Sequence, residues 1–422
     1  MRGGILDAAK MGVWSYHHGD NLVNRGGPAG FWEFFRKERE IGSILQILTE
    51  DLDGGEVLYR SWSTVHTSHK ETLNGYYWKT SLFISRKLKE LYELGEENFL
   101  KKLKSENDRL HIYSNKLYTL PGNYAFFKLL VGRFELWVRL KIRIKFSFEQ
   151  WILLYSFNNT SNLSTSIFRY KRLIPPKERF WADPCVIFEN DKYFVFFEEF
   201  IYKINKGHLS VMEIDAKGNC SSPKIILEHP YHLSYPFVFK YDGEYYLIPE
   251  SEQNLTIQLY KATNFPYEWQ FKMNLMENVT AVDTTIFIKD NKFWLFTNIV
   301  EIAGAPYHDE LFLFFSDSLF SNNWKSHPCN PIVSDVKSAR PAGKIFHHNG
   351  KLYRPSQDCS YRYGYSTIIN EILVMNETEY KEREVSDISP SWADDVVATH
   401  TLSFDNKLSV IDALIKRKKH FS

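Results

Sequence analysis

The chain has 422 residues, with 52 Lys and Arg against 51 Asp and Glu, so no global field draws it to nucleic acid and any basic site is local. Hydrophobic residues make up 44% and charged residues 24%, which excludes a disordered or fibrous chain, and the length suits two compact units. Aromatic residues reach 16%, a bias that favours strands and supplies flat faces for stacking sugar rings.

Residues 1–75 mix helix and strand signals around Gly-rich turns, with strand ends expected at GVWSYHHGD and GGEVLYR. The first twenty residues hold no long apolar core with a cleavage site, and no run of about eighteen apolar residues follows, so a cytoplasmic protein is expected. Cys185, Cys220, Cys329 and Cys359 lack the paired spacing of a zinc site or redox dithiol, so reduced thiols and no metal are expected. Residues 76–145 read as a helical connector. In the stretch 78–108, Leu88, Leu91, Leu94, Leu100 and Leu103 recur at helical spacing between charges, predicting one long amphipathic helix. After Pro121-Gly122, NYAFFKLLVGRFELWVRLKIRIKF interleaves Arg133, Arg139, Lys141, Arg143 and Lys145 with apolar residues. This segment, 123–146, has two readings: an interdomain helix whose basic side chains snorkel, or a peripheral membrane contact.

From residue 146 to 422 the pattern changes to short β-branched and aromatic strands between tight turns. One unit is written four times, at ADPCVIFENDKYFVFFEE, SYPFVFKYDGEYYLIPES, VDTTIFIKDNKFWLFTN and ARPAGKIFHHNGKLYRPSQD, with a weaker fifth copy at ATHTLSFDNKLSVIDAL. The turns fall at Asn190-Asp191, Asp242-Gly243, Asp290-Asn291, Asn349-Gly350 and Asp405-Asn406. A period of roughly fifty residues suits a four-stranded propeller blade. The predicted fold class is therefore mainly β: a five-bladed β-propeller preceded by a small α/β segment and a helical connector. FSFEQWILLYSF, around Trp151, lacks the turn and is expected to be the outer or closing strand of the last blade.

Equivalent positions of successive blades converge on one axial funnel, which gathers residues distant in sequence. Asp183, Tyr235, Asp283, Arg340 and His400 open the five copies, and Glu198, Glu199, Glu250, Arg354, Gln357 and Asp358 lie at strand ends. Carboxylates, a guanidinium and flanking rings such as Trp181 have the parts to bind a saccharide. Asp183, Asp283 and Glu250 are the expected funnel carboxylates, with Arg340, Arg354, Glu198, Gln357, His400, Trp181 and Tyr235 as substrate contacts. Three readings stay open: hydrolysis or transfer by paired carboxylates, recognition of a glycan or of a partner protein without chemistry, and simple strand-end capping.

The motifs FWADP, VDTT, PES and HPCNP before ARPAG resemble five-bladed glycoside hydrolases of the arabinanase and xylosidase type. More closely, ADPCVIF, SYPFVF, DTTIF, ARPAG and YRPSQD resemble the N-terminal domain of plant glucosamine inositolphosphorylceramide transferases and their bacterial relatives. That resemblance implies a role beside a separate transferase domain and a saccharide, nucleotide-sugar or glycolipid partner in surface glycan synthesis or tailoring. Against the hydrolase pattern, Tyr235 replaces an Asp and Asp283 replaces the acid Glu, which moves the acid to Glu250 or Glu198. GVWSYHHGDNLVNRGGPAGFWE and TEDLDGGEVLY resemble the catalytic half of formyltransferases that use formyl-tetrahydrofolate. That likeness implies a catalytic pair at His17 and Asp53, with Ser15 at the family's Asn. It also implies that the family's nucleotide-fold half precedes Met1, and that formyl-tetrahydrofolate is used only where that half exists.

Overall fold

A computed structural model describes residues 3–158 and 163–419 of the chain; Met1, taken above as a start inside a longer family, lies outside them. The N-terminal unit holds an antiparallel sheet of β1 (Trp14–His17), β2 (Glu40–Ile47) and β3 (Glu56–Thr64), with α1 (Phe31–Arg36), α2 (His69–Thr80) and α3 (Phe83–Glu106) around it. The single helix expected over 78–108 is two helices. α2 starts on Ser68, whose hydroxyl accepts from Glu71 N, and ends at Thr80, while α3 kinks at Gly95 where φ is +72°. Leu45 and Leu58 of the sheet bury Phe83, Phe99 and Leu103 of α3. That packing removes α3 from the expected connector 76–145 and makes it part of the N-terminal core. The link to the second unit is α4 (Asn123–Phe146).

The second unit is a five-bladed propeller, each blade an antiparallel sheet. Blade I spans 179–227, blade II 234–277, blade III 281–326, and blade IV 340–388, where the innermost strand is broken into Arg340–Pro341 and Phe346–His348. Blade V takes its inner strands from the C-terminal region and its outer strands from residues before blade I. Ser147–Phe157 pairs along its full length with Leu408–Lys418, from Lys418 opposite Ser147 to Leu408 opposite Phe157, and Lys171–Leu173 lies outside it. The FSFEQWILLYSF segment is thus the closing strand, third in its sheet. This pairing closes the ring by joining the two ends of the propeller sequence in one blade.

The apolar core lies between blades. Phe196 and Leu209 of blade I meet Val238 and Leu247 of blade II, and Leu153 and Val410 of blade V meet Val186 and Phe197 of blade I across the closure. Four hairpins turn at the expected dipeptides, with both residues at positive φ, the geometry for which Asn, Asp and Gly are suited. The fifth turns one residue late, since Asp405 ends its strand and Asn406 alone of the pair has positive φ.

The N-terminal unit docks on the propeller face that carries the inter-blade loops. Trp62 pairs its backbone with Ser334 and Val336, Thr64 Oγ1 donates to Cys359 O at 3.0 Å, and Arg86 makes two bonds to Glu310 at 2.7 and 2.8 Å. At the centre of this contact Lys79 and Asp309, each 1% exposed, pair at 2.8 Å, and Lys79 Nζ also donates to Trp62 O.

Candidate functional site

The innermost strands of blades I to III skip register at the same place: between Ala182 and Cys185, Ser234 and Phe237, and Val282 and Thr285. At each skip a non-glycine residue, Asp183, Tyr235 or Asp283, is left-handed, with φ of 54°, 42° and 51°. Such backbone costs about 1–3 kcal/mol per residue and persists where the surroundings over-determine it. The bulge re-aims the side chain out of the regular pleat. In blades IV and V the innermost strand is broken instead, and Arg340 and His400 stand at the break.

The structure brings four of these five together as a charged cluster. Arg340 Nε and Nη2 donate to the two oxygens of Asp283 at 2.5 and 3.1 Å, and Nη2 reaches Glu250 Oε2 at 3.4 Å. Glu250 Oε2 also accepts from Asp283 N at 3.1 Å, and Gln357 Nε2 donates to Asp283 Oδ2 at 2.8 Å. On the other side Thr401 Oγ1 donates to Asp183 Oδ1 at 2.9 Å, and His400 Nε2 stands 3.7 Å from the same oxygen. His400 stacks on Trp151 at 4.1 Å and contacts Asp412 through Nδ1 at 2.6 Å. Asp412 is wholly buried, accepting from the backbone of Asp183, His400 and Thr401. Above the cluster, Tyr363 lies over the Arg340 guanidinium at 5.0 Å, and His308 Nδ1 sits 3.0 Å from Arg340 Nη1. Burial first, then the adjacent Arg340, pushes the His308 imidazole down to about 3, so it stays neutral and accepts from the guanidinium.

Proton affinity in the cluster is displaced upward. Burial and then the charges of neighbouring carboxylates raise Glu198 and Glu250 well above the usual range. Asp183 is pushed up to about 6 by burial, against the opposing pull of His400 and with Asp283 and Asp412 adding to the rise. His400 is raised too: burial opposes its charge, but Asp412 and Asp183 outweigh it. Each of these groups binds its proton more tightly folded than unfolded, where Asp titrates near about 3.9 and His near about 6.5. Stability therefore falls as pH rises through the folded values, first over about pH 4 to 6 for Asp183 and then through the raised His400. The Asp183 contribution is read as a difference, because buried His18 and His308, pushed down to about 4 and about 3, make stability rise with pH below about 6.5. From pH 4 to 7 the melting temperature of the native chain should fall relative to that of Asp183→Asn. Superimposable melting profiles of the two proteins would contradict the assignment.

Two expected contacts, Arg354 and Trp181, lie elsewhere, and a third, Tyr235, has a different role. Arg354 is 1% exposed and bonds Glu382 at 2.8 and 2.6 Å and Ser338 O at 2.6 Å, which makes it a clamp inside blade IV. Trp181 donates to Glu199 Oε1 at 3.1 Å, and Glu199 is already held by His208, Ser210 and Arg179. Both point away from the cluster because strand neighbours alternate faces: Glu198 faces the axis and Glu199, opposite Trp181, does not. Tyr235 is placed at the axis but as its floor. Its hydroxyl bonds Thr285 Oγ1 at 3.0 Å and accepts from Gly343 N at 2.9 Å, crossing from blade II to blade IV. Conversely, Asp412, Tyr363, His308 and Thr401 were missed; a lone Asp within SVIDALI is the one sequence signal among them.

In the N-terminal unit His17 and Asp53 do meet, with Nδ1 3.4 Å from Oδ2. His17 is 7% exposed, its Nε2 lies 2.9 Å from Asn24 O, and Asp53 Oδ2 also accepts from Gly26 N at 3.0 Å. Both ring nitrogens are engaged within the chain, so neither faces a formyl carbon, and the pair does not fit a formyl donor. Ser15 Oγ is turned to Tyr16 O at 3.4 Å. His18 packs against Tyr16, Tyr76 and Tyr77 and is pushed down to about 4 by burial and His17. The four cysteines are free thiols. Ligand atoms of Asp183, His400 and Asp412 lie within 4.8 Å of one another, close enough to hold a divalent cation, although backbone N–H groups already occupy Asp412.

Fold and funnel together define a five-bladed propeller with a buried charged cluster at one end of its axis. The chain belongs to the family described as glucosamine inositolphosphorylceramide transferase 1, N-terminal, which matches residues 174–393. Over 210 residues it is 36% identical to glucosamine inositolphosphorylceramide transferase 1 of Oryza sativa subsp. japonica, covering 49% of this chain and 28% of that protein. The corresponding Arabidopsis thaliana protein is 35% identical over 209 residues, covering 49% and 27%. The chain thus spans little more than a quarter of the curated relatives it matches. Among solved structures, a family-43 β-xylosidase/α-arabinofuranosidase from a compost metagenome aligns with a TM-score of 0.42 and 13% identity, covering 64% of this chain and 96% of that one. A family-117 glycoside hydrolase of Zobellia galactanivorans gives 0.41 and 12%, covering 63% and 90%. The propeller assignment stands on this chain's own sheet order.

Proposed function

We propose that the propeller funnel recognises a saccharide, carried on a glycan or glycolipid, in the synthesis or tailoring of surface glycans. The observation that carries this reading is Arg340 bridging Asp283 and Glu250 beside Glu198, in a site where burial and neighbouring carboxylates raise the proton affinity of Glu250 and Glu198: donors and acceptors then stand together for a ring of hydroxyls. Glu250, with 12% of its side chain exposed, is the solvent-facing member. The 40%-exposed Tyr363 and 42%-exposed Tyr307 supply rings at its border. A separate cleft of about 460 Å³ between the two units is lined by Trp32, Trp62, Arg39, Lys337 and Asp358, none of them a member of the cluster. The name of the plant relatives, which joins glucosamine to an inositolphosphorylceramide, agrees with a sugar-bearing lipid.

Glu250 and Asp283 share the Arg340 guanidinium, which leaves no place between them for the water that inversion needs across about 6.5–9.5 Å, so a hydrolytic pair would be Asp183 with Glu198 or Glu250. The N-terminal unit then serves as a cap on the funnel face. Saturation-transfer NMR of the full chain against a panel that includes glucosamine, N-acetylglucosamine and inositol-linked glucosamine tests the reading. At least one sugar should bind, and Asp283→Asn, assayed well below the melting temperature that loss of the Arg340 pair lowers and with circular dichroism showing the fold intact, should weaken binding at least tenfold. A variant that binds as well as the native chain overturns it.

A further inference from the structure

α4 leaves an apolar surface unpaired. It has 24 residues, about 36 Å at 1.5 Å per residue, and none is buried. In its first half it meets the rest of the chain through Phe126, against Phe31 and Phe35, and Arg133, which lies over Phe34 at 3.9 Å and bonds Thr67 O; at its end Arg143 binds Glu149, and Lys419 bonds Ile144 O and Phe146 O. On another side Phe127, Leu130, Phe134 and Trp137, in steps of three and four residues, form one stripe and are 65%, 44%, 64% and 54% exposed. Scattered exposed apolar residues are ordinary; a helical stripe of four, three of them aromatic, is not.

The charges say what covers it. Lys128, Arg133, Arg139, Lys141, Arg143 and Lys145 stand on this helix against Glu135 alone, in a chain whose total charge is +1. Two copies packed stripe to stripe would bring these cations together, whereas an anionic bilayer accepts both the rings and the cations. No helix among the described residues is long and apolar enough to cross a membrane, which is consistent with a helix lying in the interface. We infer that α4 is a peripheral anchor that seats the protein on an anionic lipid surface through the Phe127, Leu130, Phe134 and Trp137 stripe. The anchor is joined to the funnel: Arg143 at its end and Arg362, next to Tyr363, both bind Glu149.

Co-sedimentation of the full chain with vesicles tests this independently of any sugar. Binding is expected to vesicles of 70% phosphatidylcholine and 30% phosphatidylserine, to fall at least tenfold in high salt, and to be much weaker on phosphatidylcholine alone. Phe127→Asp with Phe134→Asp should lower it at least tenfold while the melting temperature holds, since both side chains are exposed. The inference is overturned if the native chain stays in the supernatant, if the double variant or neutral vesicles bind as well, or if light scattering shows a dimer that the double variant makes monomeric.

Discussion

Arg340→Met is expected to destabilise the propeller by about 3–5 kcal/mol, because it leaves Asp283 and Glu250 in a buried site without their shared cation. Arg340 is 5% exposed and Asp283 2%, so water does not replace the lost partner. The loss should shrink in the double variant Arg340→Met, Asp283→Asn, where the unpaired Asp283 charge is absent by design. Denaturant unfolding of the four proteins of this cycle, followed by propeller tryptophan fluorescence, reads the effect. Equal losses in the single and double variants would mean that the guanidinium acts by packing rather than by charge.

Lys79→Met is expected to cost a similar amount, about 3–5 kcal/mol, at a different place. Asp309, 1% exposed, would lose the only cation it contacts among the described residues, and Trp62 O would lose its donor. Because this pair lies at the seat of the N-terminal unit on the propeller, the first consequence is undocking rather than collapse of the blades. Hydrogen exchange should therefore quicken in α2 and in 300–310 before it quickens in the blade cores, and Asp309→Leu added to Lys79→Met should restore part of the protection. Uniform acceleration throughout the chain would argue that the units do not separate.

Much of the propeller was legible because its rules are local. The Asn-Asp and Asp-Gly turns and the alternating aromatic strands repeat with one period, and four of the five key positions fall in phase on bulges or breaks that aim inward. The rest depended on bulk, parity or loops. Tyr235 is in phase, but its length carries the hydroxyl across the axis to Gly343, so it closes the channel instead of lining the site. Arg354 lies three residues before Gln357, an odd step that puts it on the opposite face of the strand. Tyr363 and His308 come from loops between strands, where no period fixes a position. Asp412 sits on the second strand of blade V, so it fell outside the comparison of first strands. In the N-terminal unit, the spacing of His17 and Asp53 was legible as a contact, whereas the backbone carbonyl that fills the other ring nitrogen was not.

The account turns on the charged cluster being where a sugar is held. A crystal structure of the full chain soaked with the tightest saccharide of the panel tests that directly. A pyranose ring with hydroxyls in hydrogen-bond reach of Glu250, Asp283 or Arg340 and a face against Tyr363 or Tyr307 is the predicted result. A saccharide seated on the rim or between outer strands, with the cluster untouched, would contradict it.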